Sequence, residues 1–87
     1  MRIIPGQVAL ITGASRGLGV YIAKTFARYG VNMMISARSE PELKKLQDEL
    51  QQLGVRAEIF VADVASPQDL QNLYTATMAS FGQIDIL

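Results

Sequence analysis

Three glycines stand at positions 13, 17 and 19 of the segment TGASRGLG, spaced four and then two, directly behind the apolar run VALI. A chain uses glycine where it must turn through positive φ or bring its backbone against a ligand. At the end of a strand and the start of a helix, such a turn builds an anion site. Gly13 would make the turn, Gly17 would let a pyrophosphate approach the backbone, and Gly19 would let the helix pack closely on the strand. The amides near Leu18 then lie at the positive end of that helix. Binding of a phosphorylated nucleotide is the chemistry this spacing predicts. Phosphoryl transfer is excluded, because a Walker loop needs Lys and then Ser/Thr after its last glycine, and Val20 and Tyr21 stand there.

Composition narrows the chemistry further. The 87 residues contain neither Cys nor His, which removes disulfides, thiolate nucleophiles, imidazole bases and most transition-metal sites. Eight basic and eight acidic side chains give a net charge of zero with no basic block, so a nucleic-acid partner is not expected. An apolar share of 49% against 18% charged residues is that of a folded domain. A chain of this size makes one small domain that buries only about 60 to 65% of its unfolded surface. Arg2 followed by the uncharged stretch from Ile3 to Ser15 loosely resembles a leader, but Pro5, Gly6 and Gln7 interrupt it, as a turn feeding a buried strand would. The expected location is the cytoplasm, with no membrane span.

The elements that must carry the glycine turn follow from apolar patterning. Val8 to Gly13, Val31 to Ala37 and Ala57 to Val64 are short apolar runs of the kind that form parallel strands covered on both faces, and Ile84 to Leu87 reads as a fourth. Between them, Leu18, Ile22, Phe26 and Tyr29 recur at helical spacing until Gly30. A second helix starts at Ser39, where Glu42 completes a capping box and Pro41 sits in the first turn; Leu43, Leu46, Leu50 and Leu53 form its stripe, ended by Gly54. Ser66, Pro67 and Asp69 announce a third helix, whose inner face is expected to be Leu70, Leu73, Tyr74, Thr77, Met78 and Phe81. The order βαβαβαβ predicts an α/β fold, a Rossmann-type doubly wound parallel sheet of order 3-2-1-4 that stops after its fourth strand.

TGASRGLG has the TGxxxGxG spacing of the short-chain dehydrogenases/reductases, and SAR after strand two, ADV after strand three and GQIDIL at the fourth resemble that family in the same order. The resemblance covers essentially the whole chain and implies a nicotinamide cofactor in a Rossmann domain. Dinucleotide folds that bind NAD usually place a carboxylate at the end of strand two for the ribose 2′-hydroxyl, whereas a 2′-phosphate needs cationic donors. Ala37 is followed here by Arg38, not by an acid. Arg16 can reach the same phosphate, and Ser15 and Ser39 can donate hydroxyl hydrogen bonds, although Ser39 has a competing task as helix cap. The expected cofactor is NADP. Asp63 and Val64 resemble the family's adenine pocket, where the carboxylate accepts from the exocyclic amine and the next amide donates to the ring; Asp63 could instead cap the turn after strand three. Asp85 and Thr12 are read as structural.

The resemblance also implies what else the activity requires. The family's fourth strand runs into Asn-Asn-Ala-Gly, and its catalysis comes from a later Ser and a Tyr-x-x-x-Lys pair, none of which occurs here. Tyr21 and Lys24 are three apart, and Tyr29 and Tyr74 have no Lys four residues on. Residues 1–87 are therefore expected to be the N-terminal, cofactor-binding portion of a longer oxidoreductase acting on a carbonyl or alcohol, inactive alone and assembling as a homo-oligomer through later helices. The alternative is a stand-alone nucleotide-binding or interaction module.

Overall fold

The computed structural model describes residues 3–87; Arg2, invoked in the leader reading, lies outside the described residues. Pro5 and Gly6 form the expected turn, with the Gly6 amide donating to the Gly30 carbonyl at 3.0 Å. The turn feeds β1 (Val8–Ile11), which is followed by α1 (Leu18–Arg28), β2 (Asn32–Ala37), α2 (Glu40–Gln52), β3 (Ala57–Val61) and α3 (Pro67–Phe81). β1 and β3 are two and three residues shorter than their apolar runs, because the last residues of those runs belong to the loops that form the site, and β2 begins one residue later than its run, at Asn32. The strands are parallel and β2 lies in the middle: Leu10 is in register with Met34, and Met34 with Glu58.

Alternation along the strands divides the core between two faces. Ala9, Ile11, Met33 and Ile35 pack with Ala23 and Ala27 of α1 and with Leu43, Leu46 and Leu50 of α2. Leu10 and Met34 point the other way and meet Leu73 of α3, with Phe60, Ala76 and Phe81 around them. The result is a three-layer α/β sandwich, with helices on both faces of a parallel sheet as its order requires.

Three expectations about elements are corrected. Ile84 to Leu87 does not form a fourth strand: Ile86 alone pairs with Ala9, donating to the Val8 carbonyl at 3.1 Å and accepting from Leu10 N–H at 2.9 Å. The residue before it is engaged through backbone and side chain: Asp85 N–H donates to the Val8 carbonyl at 2.8 Å, and Asp85 Oδ2 accepts from Val8 N–H at 2.8 Å and from Gln83 Nε2 at 2.7 Å. That bears out a structural role for Asp85. Second, Leu18 and Tyr29 are exposed and the buried residues of α1 are Ala23 and Ala27, while Ile22 and Phe26 of the expected stripe are half-buried against the same cluster. Third, Leu70 and Tyr74 of α3 remain on the surface, 43% and 52% exposed, because a narrow sheet covers only the stripe through Leu73 and Thr77. Leu53, the last of the α2 stripe, falls at the C-cap and is likewise exposed.

Candidate functional site

The loops leaving β1, β2 and β3 meet at one edge of the sheet, where parallel strands direct all their C-terminal ends. They enclose a cleft of about 310 Å³ lined by Gly13, Ser15, Arg16, Ala37, Arg38, Ala62, Asp63 and Val64. The end of β2 braces both neighbouring loops: Ala14 N–H donates to the Ser36 carbonyl and Ala62 N–H to the Ala37 carbonyl, each at 3.0 Å. Ala37 enters the sequence reading only as the residue before Arg38, and Ala62 only within the ADV segment; both line the cleft. They matter because a methyl group is all that separates cleft from backbone there.

The glycine turn has the conformation its spacing implies. Gly17 caps α1 at φ 64° and ψ −132°, a combination closed to residues with a Cβ, and the space where its Cβ would stand is open. Gly19 is constrained in the opposite way: a Cβ there would lie 2.3 Å from the Gly13 carbonyl oxygen and 3.1 Å from Ala14 Cα. The helix therefore starts against the loop with no room between them. Alone among the three helices, α1 has no carboxylate in its first turn, whereas α2 carries Glu40 and Glu42 and α3 carries Asp69. Its first amides and the positive end of its dipole are left for an external anion.

The cations of the cleft are equally uncommitted. Among the described residues, neither Arg16 nor Arg38 forms an ion pair with a carboxylate. Asp63 shares the cleft with both, but its Oδ1 accepts from Ala65 N–H at 2.9 Å and its own N–H donates to Asp69 Oδ2 at 2.8 Å. The turn-capping task thus occupies one of its oxygens and leaves the other. The grip of Asp69 on this loop was not anticipated; a side-chain bond to backbone six residues away leaves no signature in residue spacing.

Of the expected site residues, the fold brings Gly13, Ser15, Arg16, Arg38, Asp63 and Val64 to one cleft, and it places Gly17, Leu18 and Gly19 at the adjoining helix start. Ser39 does not line the cleft. It is the N-cap of α2, yet its side chain makes no cap hydrogen bond, so the expected capping box is absent. Pro41 explains part of this, since it removes one of the two amides that an N-cap hydroxyl can reach. A glycine cradle that a Cβ would obstruct, unneutralised helix amides and two unpaired guanidinium groups together suit a dinucleotide with several negative charges.

The short chain dehydrogenase family model matches residues 7–87. Oxidoreductase UcpA of Escherichia coli is 44% identical over 84 residues, covering 97% of this chain and 32% of that protein. The L-sorbose reductase of Gluconobacter frateurii, solved with NADPH and L-sorbose, superposes with a TM-score of 0.91 at 36% identity, over 98% of this chain and 33% of the other. A short chain dehydrogenase/reductase from Burkholderia phymatum, solved with NAD, also gives a TM-score of 0.91, at 30% identity over 97% of this chain and 30% of the other. The chain thus spans about a third of the length of these relatives. With the glycine turn, the parallel sheet and the family's own pattern coinciding along nearly every residue, the chain belongs to the short chain dehydrogenases.

Proposed function

We propose that these residues form the cofactor-binding portion of an oxidoreductase that uses NADP(H). The observation that carries the reading is the pair Arg16 and Arg38, both lining the cleft and both without an ion-pair partner among the described residues, at a strand end where Ala37 is followed by no acid. Overall fold does not choose the cofactor, since an NADPH complex and an NAD complex superpose equally well. Charge supports NADP: two guanidinium groups desolvate at a cost unless an anion pairs with them, and a ribose 2′-phosphate is the anion that separates NADP from NAD.

In this reading Gly17, Leu18 and Gly19 present backbone to the pyrophosphate, with Gly13 making the turn that allows it. Ser15, Arg16 and Arg38 hold the 2′-phosphate, and Ser39, whose hydroxyl no cap bond engages, can turn to join them. The free oxygen of Asp63 and the amide of Val64 receive the adenine. The bound cofactor would supply or accept the hydride exchanged with a carbonyl or alcohol substrate. The isolated Ile86–Ala9 pairing lies on the side of β1 away from β2, where the fourth strand of a 3-2-1-4 sheet would continue in the intact protein, which in this reading works as a homo-oligomer. No residue of this stretch takes the proton-transfer role: Lys24 is held by Glu49, and Tyr21, Tyr29 and Tyr74 lie on helix surfaces away from the cleft. Residues 1–87 alone are therefore expected to show no turnover.

Titration calorimetry of the intact protein with NADP and with NAD tests the assignment. NADP is expected to bind at least about tenfold more tightly, the effect of one or two charge-assisted hydrogen bonds to phosphate. Equal affinities, or tighter binding of NAD, would refute it.

A further inference from the structure

A second hollow, about 660 Å³, lies between α1 and α2 and shares Ser15 with the nucleotide cleft. Its floor includes Val20 of α1 and Leu46 of α2, and its walls carry Lys24 of α1 opposite Glu49 of α2. Lys24 Nζ and Glu49 Oε2 form the one ion pair, among the described residues, that joins two helices; the other two lie within α2 and beside β3. Both side chains are about a third exposed, at 33% and 36%. The hydrogen bond from Lys24, assisted by the charges of Lys24 and of neighbouring Lys45 and opposed in part by burial, holds the Glu49 carboxyl below its ordinary value.

The position of this pair matters because each helix begins at a different part of the nucleotide cleft. α1 starts at the glycine turn, just after Ser15 and Arg16; α2 starts at Glu40, just after Arg38 and Ser39. The span between the two sets of cationic and hydroxyl groups is therefore set by how one helix sits on the other. Apolar packing of Val20 against the cluster that includes Leu46 is non-directional and tolerates sliding, whereas an ion pair between defined positions does not. We propose that Lys24 and Glu49 are positioning residues: their bridge fixes α1 against α2 and so holds Ser15 and Arg16 at the distance from Arg38 that a 2′-phosphate requires. This inference rests on the NADP reading.

The test compares 2′-phospho-ADP-ribose with ADP-ribose by calorimetry on the intact protein, in the parent, in Lys24→Met, in Glu49→Gln and in the swapped double variant Lys24→Glu with Glu49→Lys. Each single variant is expected to weaken the 2′-phosphorylated ligand by about two- to fivefold, the range of partly exposed ion pairs, and to leave ADP-ribose unchanged. The swapped pair is expected to restore the parent ratio. Opposite signs in the two single variants, weaker for Lys24→Met and tighter for Glu49→Gln, would mean that bare charge acts across the groove and would overturn the positioning role. Equal losses for both ligands would overturn it too, because a merely structural bridge has no preference for the phosphate. A parent that discriminates between the ligands while both variants keep its ratio defeats this inference alone. A parent that does not discriminate defeats the NADP reading and the inference with it.

Discussion

An arginine after the second strand changes what a nucleotide cleft can hold, because its charge is permanent and its donors form a planar fork suited to phosphate oxygens. Arg38 lines the cleft beside Arg16 and Asp63, and Asp63 already spends one oxygen on the turn. Replacing Arg38 by Asp exchanges a donor for an acceptor at the point where the 2′-position is read. For Arg38→Asp we expect NADP to bind about 10 to 100 times more weakly and NAD to hold or gain, measured by competitive titration; an unchanged ratio would remove Arg38 from the site. Gly19 is the other residue at which one atom decides. An alanine Cβ at 2.3 Å from the Gly13 carbonyl oxygen meets the backbone of Gly13 and Ala14, so the start of α1 must move away from the loop. Gly19→Ala is expected to cost about 1 to 3 kcal/mol, the usual range for overpacking, and to lower the melting temperature accordingly. A melt identical to the parent would show that the turn has slack that its geometry does not suggest.

Helix starts show how far local patterns carry. Ser39 and Ser66 are each followed by a first-turn proline and an acid three residues on, but Pro41 takes the second helical position, where it removes an amide that the cap hydroxyl could reach, whereas Pro67 takes the first. In the fold, Ser66 Oγ accepts from Asp69 N–H at 3.2 Å, while Ser39 makes no cap bond. Ser66→Ala is therefore expected to cost about 1 kcal/mol, and Ser39→Ala less than about half of that, in matched thermal melts. Equal losses would contradict the difference between the caps. The strands, the three helices and most of the cleft were legible because each depends on residues close in sequence: an apolar run, a 3.6-residue stripe, a glycine at a fixed offset. Exposure of Leu70 and Tyr74 was not legible, since periodicity counts apolar positions and says nothing of how wide a sheet lies beneath them. The single Ile86 pairing was hidden for a related reason, because IDIL reads as a strand whether one residue or four find partners. The place of Ala62 in the cleft and the bond from Asp63 N–H to Asp69 Oδ2 were not legible, because small size and a long-range side-chain bond leave no periodic trace.

At the scale of the molecule, the two faces of the sheet are unequally anchored. Fifteen buried residues form the cluster on the α1 and α2 side, against three on the α3 side. Leu73 and Thr77 are the only residues of α3 that are buried, and the Thr77 hydroxyl is satisfied within the helix by the Leu73 carbonyl at 2.7 Å, so it ties α3 to nothing else. Beyond the packing of Leu73, Ala76 and Phe81 around Leu10, Met34 and Phe60, α3 is tied to the rest by the hold of Asp69 on the Asp63 loop and by Arg56 stacked 4.3 Å above the Phe81 ring. Local opening free energy follows buried apolar contact, so α3 should open without the rest of the chain. In hydrogen exchange on the 87-residue chain, amides in the middle of α3 are expected to be protected at least about tenfold less than those of β1 and β2. Arg56→Met, which removes the cation above Phe81 but keeps an apolar stem, should widen that gap by speeding exchange in α3 and leaving β1 unchanged. Equal protection of α3 and the strands would mean that the layers open together. The thin cluster would then be coupled to the thick one through the Met34 and Leu10 strands that both faces share.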